Sequence, residues 1–544
     1  MKTKRMTLRA VGLLLTAIMV ISAIPATALT ASADAPSVEL SDPEVVIEIH
    51  VTPEPDEEPV ESPGFDVKVD NWGGSGTEED PFTIHNRVGL ENLAMISERG
   101  YSFSGIYFAL TGDFSIETPV IGAQYSFIGS EDVPFAGVFD GRGHTISGFN
   151  YSDGGNRVGL FRVVTGTVKN LNVSGSVTGS GGGANVGGIA GKNYGTIRDC
   201  TFSGTVTATG RDSYVGGIAG QNTGLILGCT NYAEINNTNG YGDTGGIAGN
   251  SKDGSIDRSR NEGNVTGRGR AGGISAAIER YRTAKTRITG LSNVGEISGA
   301  NYVGGLFGYM YRFDVDGSTN SGTIYAKQYV GGIVGHSEYS YLSNCSNSGD
   351  LDTKTSGALR SWGGIAGKYD APKLWNCCNT GNIDPYTDRD RSPDSENFGG
   401  IVGELTDQSN TTVTGCYNLG RVWSYIDGGG IVGDARRATI SNCFNAGRIH
   451  VANKYYDVEG DSGGGICGFA ERVVIKECGN GGDIFAEKYA GGIVGYTRIC
   501  QLYDCYNAGT VYATEIAGGI AGWFVNSSLW RSISIGYINA AQNE

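Results

Sequence analysis

The 544-residue chain carries 89 Gly, a formal net charge of −16, and only 18% charged against 39% hydrophobic residues. With 13 Pro and no G-x-y period it is not collagen, and with 10% aromatic residues it is not a disordered polymer. Its acidity argues against nucleic-acid binding, and the absence of an 18-residue apolar stretch beyond the N-terminus excludes a multispan membrane protein.

Residues 1–33 read as a secretory signal peptide. Four bases (Lys2, Lys4, Arg5, Arg9) precede an apolar run from Ala10 to about Ile24, and the small-residue site Ala31-Ser32-Ala33 follows. The alternative is an uncleaved membrane anchor, for which the apolar core is short. Residues 34–64 form an acidic, Pro-rich linker, with ten acids, no Lys or Arg and six Pro between Asp34 and Pro63. Like charges repel and Pro withholds a donor, so this stretch is expected to be extended and solvated. Residues 65–157 are expected to hold an N-terminal cap and the first coils, with a short helix near Val88–Arg99.

Residues 158–544 are repetitive. The phrase Gly187-Gly188-Ile189-Ala190-Gly191 returns in close variants starting at 216, 245, 272, 304, 331, 363, 399, 429, 464, 491 and 518, at intervals of 27 to 36 residues. A second phrase, best seen as Cys505-Tyr506-Asn507-Ala508-Gly509-Thr510-Val511, lies between the copies, and its Asn recurs at 231, 261, 293, 320, 347, 379, 418, 445, 480 and 507. Self-similarity at this period means stacked supersecondary units. Gly disfavours helical units by about 1 kcal/mol per position relative to Ala, and β-propeller blades want ~40 residues or more. The expected fold is all-β: a right-handed parallel β-helix of about 13 coils. Isolated coils cannot offset the ordering entropy of about 1–2 kcal/mol per residue, so stability has to come from neighbours. The recurring Asn is then expected to form an amide ladder, and the Gly pairs to mark tight turns or close backbone approach.

Eight of the 11 Cys (200, 229, 345, 377, 416, 443, 478, 505) share the position two before that Asn. Stacked side chains run parallel about 4.8 Å apart, wider than the ~3.5–4.5 Å between disulfide-bonded Cβ atoms, so a reduced, buried thiol ladder is expected. Cys378, Cys467 and Cys500 lie off that column, where local pairing stays open.

The G-[IL]-[AVF]-G phrases with C-x-N-x-G-x-[IV] between them resemble the GLUG-motif repeats of bacterial secreted and surface proteins. Upstream, Trp72-Gly73-Gly74-Ser75-Gly76-Thr77, Asp80-Pro81-Phe82-Thr83-Ile84, Phe127-Ile128-Gly129, Pro134-Phe135-Ala136-Gly137-Val138-Phe139 and Asp140-Gly141-Arg142-Gly143-His144-Thr145-Ile146 resemble the cap of such proteins. The resemblance implies adhesin-like surface binding. It extends to a region of immunoglobulin-A-specific metallopeptidases, but their chemistry needs two His one helical turn apart. The five His here (50, 85, 144, 336, 450) are scattered, and no LPxTG-type sorting sequence is seen.

Three loops break the period: 352–362, 384–398 and 450–463. The second carries Asp384, Asp388, Asp390, Asp394 and Glu396, and the third Tyr455, Tyr456 and Asp457. Carboxylates are candidate Ca²⁺ ligands and exposed aromatics candidate sugar platforms, so these loops form one candidate binding ridge, with solvated loop tips as the alternative. No cofactor is required by any motif, and Ca²⁺ is the one metal the ridge invites. A basic group, Arg268, Arg270, Arg280, Arg282, Lys285 and Arg287, is a second candidate, for anionic glycans or cell-wall polymer. Tyr214, Tyr302, Tyr329 and Tyr489, two places before the Gly pair, are a third, as stacking platforms.

The expected function is that of a non-catalytic, exported β-helix that binds extracellular glycans or proteins of a host or cell wall. No nucleic-acid partner and no membrane span after signal cleavage are expected. A carbohydrate-active enzyme using the ridge carboxylates and a stalk or fragment of a larger surface protein are the alternatives.

Overall fold

The computed structural model describes residues 72–117, 128–282, 286–354, 357–385, 397–406, 410–452 and 461–541, all within one compact unit, Lys68–Glu544. The signal-peptide and linker assignments lie outside the described residues. The unit is a parallel β-solenoid of about 15 turns, 53% strand and 3% helix.

A typical coil contains the strands Tyr489–Gly491, Val494–Arg498, Gln501–Tyr503, Tyr506–Asn507 and Val511–Ala513. Each pairs parallel with its counterpart one coil away, and the Gly phrase never slips: Gly464, Gly491 and Gly518 lie in register. Two 13-stranded sheets run along the unit, one from the strand before each Gly pair (Arg157–Val158 to Ile516–Gly518) and one from the strand after it (Phe161–Val164 to Ala521–Val525).

The third residue of the phrase fills the core. Ile189, Ile218, Ile247, Ile274, Leu306, Ile333, Ile365, Ile401, Ile431, Ile466 and Ile493 are all 0% exposed. The Asn column is equally buried and forms the expected ladder. From Asn231 to Asn480, each Nδ2 donates to the Oδ1 of the next Asn at 2.7–2.9 Å. Asn507 ends the ladder on the Ser534 hydroxyl at 3.1 Å. The second amide hydrogen goes to a backbone carbonyl two residues on, as from Asn379 to Gly381 at 2.9 Å, so both donors are used.

That ladder explains the second Gly of the pair. A Cβ built on Gly364 would lie 2.2 Å from Asn379 Cγ, and one on Gly332 2.3 Å from Asn347 Cγ. Gly and Asn are thus one steric unit: the amide column occupies the space a side chain would take. Where the column carries Phe202 instead, a Cβ on Gly188 would meet its ring at 2.2 Å.

All 11 Cys are free, and ten are buried. Each thiol of the column donates to the carbonyl two residues back, at 3.2 Å for Cys345 and 3.4 Å for Cys377. Ser259 and Ser318 make the same bond from the same column. Burial pushes the thiols of Cys200, Cys377 and Cys478 well above their ordinary range, which keeps them protonated and unreactive.

At the N-terminal end the helix spans Arg87–Glu98, with the Asn86 side chain accepting from the Gly89 N–H at 3.1 Å. It buries Leu90, Leu93 and Ala94, while Trp72, Phe82, Phe108, Phe135 and Phe161 form a chain of ring contacts into the first coils. The turns exceed the expected 13 because coils form before the Gly phrase becomes recognisable. Their positions on the Asn column hold Ile146 and Val173, which stack equally well but leave no polar signature.

Candidate functional site

The chain bends sharply at each Gly pair, and two columns of side chains meet across the bend. The residue two places before the pair faces the residue seven positions later. Asn250 donates to Asp243 at 2.7 Å, the Tyr302 and Tyr309 rings lie 6.5 Å apart, and those of Tyr489 and Tyr496 5.8 Å apart. The result is an inside corner running the length of the unit, whose chemistry changes from coil to coil.

Near its N-terminal part sits a polar node. Arg270 donates from Nε and Nη2 to Asp243 at 2.7 and 2.8 Å. Next comes a ring cluster: Tyr302 stacks on Tyr329 at 4.9 Å, and His336 lies 5.7 Å from Tyr302 and 5.5 Å from Tyr309. A second cluster lies further along, where Tyr496 packs 5.3 Å from Phe469 and Tyr489 5.3 Å from Trp523. Tyr329 and Tyr489 are five rungs apart, about 24 Å at ~4.8 Å per rung.

Backbone strain marks the first of these regions. Four successive corner residues have left-handed φ: Tyr302 at 55°, Tyr329 at 54°, Ser361 at 47° and Asn397 at 41°. Asn tolerates that region, whereas Tyr pays a steric penalty there, a pattern associated with functional positions.

Between the clusters lies a pocket of about 440 Å³ lined by Asn397, Glu404, Leu405, Thr406, Ile426, Asp427, Asp434 and Arg436. Asp427 and Asp434 are 7% and 5% exposed. Burial, reinforced by the charge of Asp434, holds the Asp427 carboxyl well above the usual range. Burial also raises Asp434 to about 6, although Arg436 donates to it at 3.0 Å. The Ser462 hydroxyl donates to Asp427 Oδ1, and Ser361 to Glu404 at 2.7 Å.

Of the ridge residues read from the sequence, only Asp384 is described, and Arg421 donates to its Oδ2. Asp388, Asp390, Asp394, Glu396, Tyr455, Tyr456 and Asp457 lie outside the described residues. Among the described residues no group of three or more His, Cys, Asp or Glu is arranged to hold a metal ion. In the basic group, Arg270 turns into the corner against Asp243, and Arg287 donates to Asp316 at 2.7 Å. Arg282 is exposed and Arg280 half-buried, while Lys285 lies outside the described residues. Tyr302, Tyr329 and Tyr489 line the corner and form one of its two walls. Tyr309, His336, Glu404, Asp434, Phe469, Tyr496 and Trp523 form the other, and the constant offset of seven residues across the bend is the signal that finds them.

Among the described residues no helix is long and apolar enough to cross a membrane. A Gly-rich membrane protein of Evansella cellulosilytica is 36% identical over 129 residues, which is 22% of this chain and 14% of that protein. A solved structure described as an immunoglobulin A1 protease from Bacteroides ovatus aligns over 74% of this chain and 86% of its own. Its identity is 17% and its TM-score 0.26, a likeness that carries no argument. Residues 182–207 match the family described as the GLUG motif. The chain is therefore a parallel β-solenoid whose repeats include a GLUG motif.

Proposed function

We propose that the chain is an exported, non-catalytic surface protein that binds an extended extracellular glycan along the inside corner. The observation behind this reading is the pair of ring clusters, half-exposed Tyr302 and Tyr329 over buried His336 and half-exposed Phe469, Tyr489 and Tyr496, on one line with polar groups between them. Sugar rings stack on aromatic faces while their hydroxyls need hydrogen-bond partners, and such a track offers both at a repeat fixed by the rungs. Export rests on the basic, apolar and small-residue order of residues 1–33. The loop carboxylates from Asp384 to Glu396, together with Tyr455, Tyr456, Asp457, Arg280, Arg282 and Arg287, are proposed as flanking contacts.

A second reading, a carbohydrate-active enzyme, is favoured by the two acids held at raised pKa in one pocket, since glycoside hydrolysis uses such a pair. A glycan array combined with a reducing-end assay on the purified chain separates the two. Binding without turnover is expected, and release of reducing or unsaturated ends would replace the binding reading with the enzymatic one. Tyr329→Ala and Tyr489→Ala should each weaken the selected glycan about 3–10-fold, the scale of one lost aromatic contact. Replacing Asp388, Asp390 and Asp394 by Asn tests the loop ridge separately, and unchanged affinity would remove it.

A further inference from the structure

The pocket between the ring clusters is unevenly satisfied. The Asn397 side chain lines it, is 9% exposed, and has no hydrogen-bond partner among the described residues. Asp427 spends Oδ1 on the Ser462 hydroxyl, and among the described residues nothing donates to its Oδ2. Arg436, the cation in the lining, is engaged by Asp434 at 3.0 Å. The pocket therefore presents unfilled acceptors and an excess of carboxyl groups, with Leu405 and Ile426 as apolar wall. Free acceptors and surplus carboxyl groups that open onto one pocket fit a donor-rich cation.

We propose that this pocket receives the free amine of an amino-sugar unit, so that the glycan in the corner is a cationic, partly deacetylated polymer. The proposal rests on the glycan reading above and names its substrate class. An ammonium brings three donors and no acceptor, which matches Asp427 Oδ2 and the Asn397 amide oxygen. A uronate or phosphate polymer would instead meet Glu404, Asp427 and Asp434 with one cation already committed. A lysine-bearing protein offers the same head group, but only a sugar polymer also uses the ring clusters on both sides.

Binding has a proton signature. The charged groups around Asp427 and Asp434 are Glu404, Arg436, Asp461 and Glu471, three of them acids. An ammonium in their midst lowers both raised carboxyl pKa values, so protons leave as the ligand enters. Lowering the pH through about 6, where Asp434 protonates, should therefore weaken binding.

The test is isothermal titration calorimetry of the full purified chain with glucosamine and N-acetylglucosamine hexamers. At neutral pH the glucosamine hexamer should bind at least about 10-fold more tightly, and the preference should shrink at pH 5, where Asp434 is protonated. Asp427→Asn retains the bond from Ser462 and should abolish the preference for the glucosamine hexamer. Asp132→Asn removes a carboxyl group at an exposed site and should leave the preference intact. Equal affinities in the native chain, or a preference that survives Asp427→Asn, would overturn the pocket proposal and leave the glycan track standing. Failure of both hexamers to bind would also overturn the pocket proposal, while the glycan track stands or falls by the glycan array.

Discussion

Gly364→Ala should destabilise the solenoid by about 3 kcal/mol or more, the upper end of what a single added methyl does. The new Cβ would lie 2.2 Å from Asn379 Cγ and 2.2 Å from the Gly400 carbonyl oxygen. Neither neighbour can retreat. The Asn379 amide is held by bonds to Asn347, Gly381 and Asn418, and the Gly400 backbone belongs to the next rung. Relief requires two coils to separate, which breaks core packing on every side of the turn. Gly519→Ala, in the final coil, should cost less, because its Cβ would meet Ser534 and Ile538 side-chain atoms at 2.7–2.8 Å with more room to shift. Gly112→Ala meets nothing within 4 Å and should stay within about 0.5 kcal/mol of the native chain. Urea midpoints of the three variants order these costs, and equal midpoints would show that the Gly pair does not carry the contact assigned to it.

Asn379→Ala should be nearly as damaging. It strands one Asn347 amide hydrogen, the Asn418 Oδ1 and the Gly381 carbonyl, which Asn379 now serves at 2.8, 2.9 and 2.9 Å. At about 1–3 kcal/mol for each buried unsatisfied group, partly relieved by relaxation, the loss is on the order of 3–5 kcal/mol. Asn379→Asp preserves shape but removes both donors and buries a charge. Burial would raise its folded pKa above the unfolded ~3.9, so folding takes up a proton. That variant should therefore be most stable in acid and lose stability as pH rises through the raised value. A pH-independent loss for Asn379→Asp would mean the column is open to water.

The particular residues that made the architecture legible are those whose positions cannot vary. Gly364 and Asn379 recur because each excludes alternatives at the other, and Cys377 recurs because its thiol reaches a carbonyl from a buried slot that Ser259, Ser318 and Leu291 fill in other coils. The cap helix was visible from its apolar spacing, and its observed span differs by one residue at each end. The first coils, expected within residues 65–157, could not be numbered, since Ile146 and Val173 stack without the recurring Asn. The corner was half legible for the opposite reason. Its residues face outward, so stacking does not dictate their identity, and Asp427 and Asp434 look like ordinary surface acids until the bend brings them together. Only Tyr214, Tyr302, Tyr329 and Tyr489 repeat often enough to stand out.

Successive coils stack in one register, and pulsed electron resonance distances between spin labels measure that stacking. Arg260, Tyr417 and Ile533 are exposed on a single column, five and then four further rungs apart. Labels on Arg260→Cys with Tyr417→Cys, and on Arg260→Cys with Ile533→Cys, should report about 24 and 43 Å in a Cys378→Ser background, the buried native thiols remaining unlabelled. Narrow distributions at those values are the predicted result. Broad distributions, or distances that do not scale with rung number, would contradict the stack.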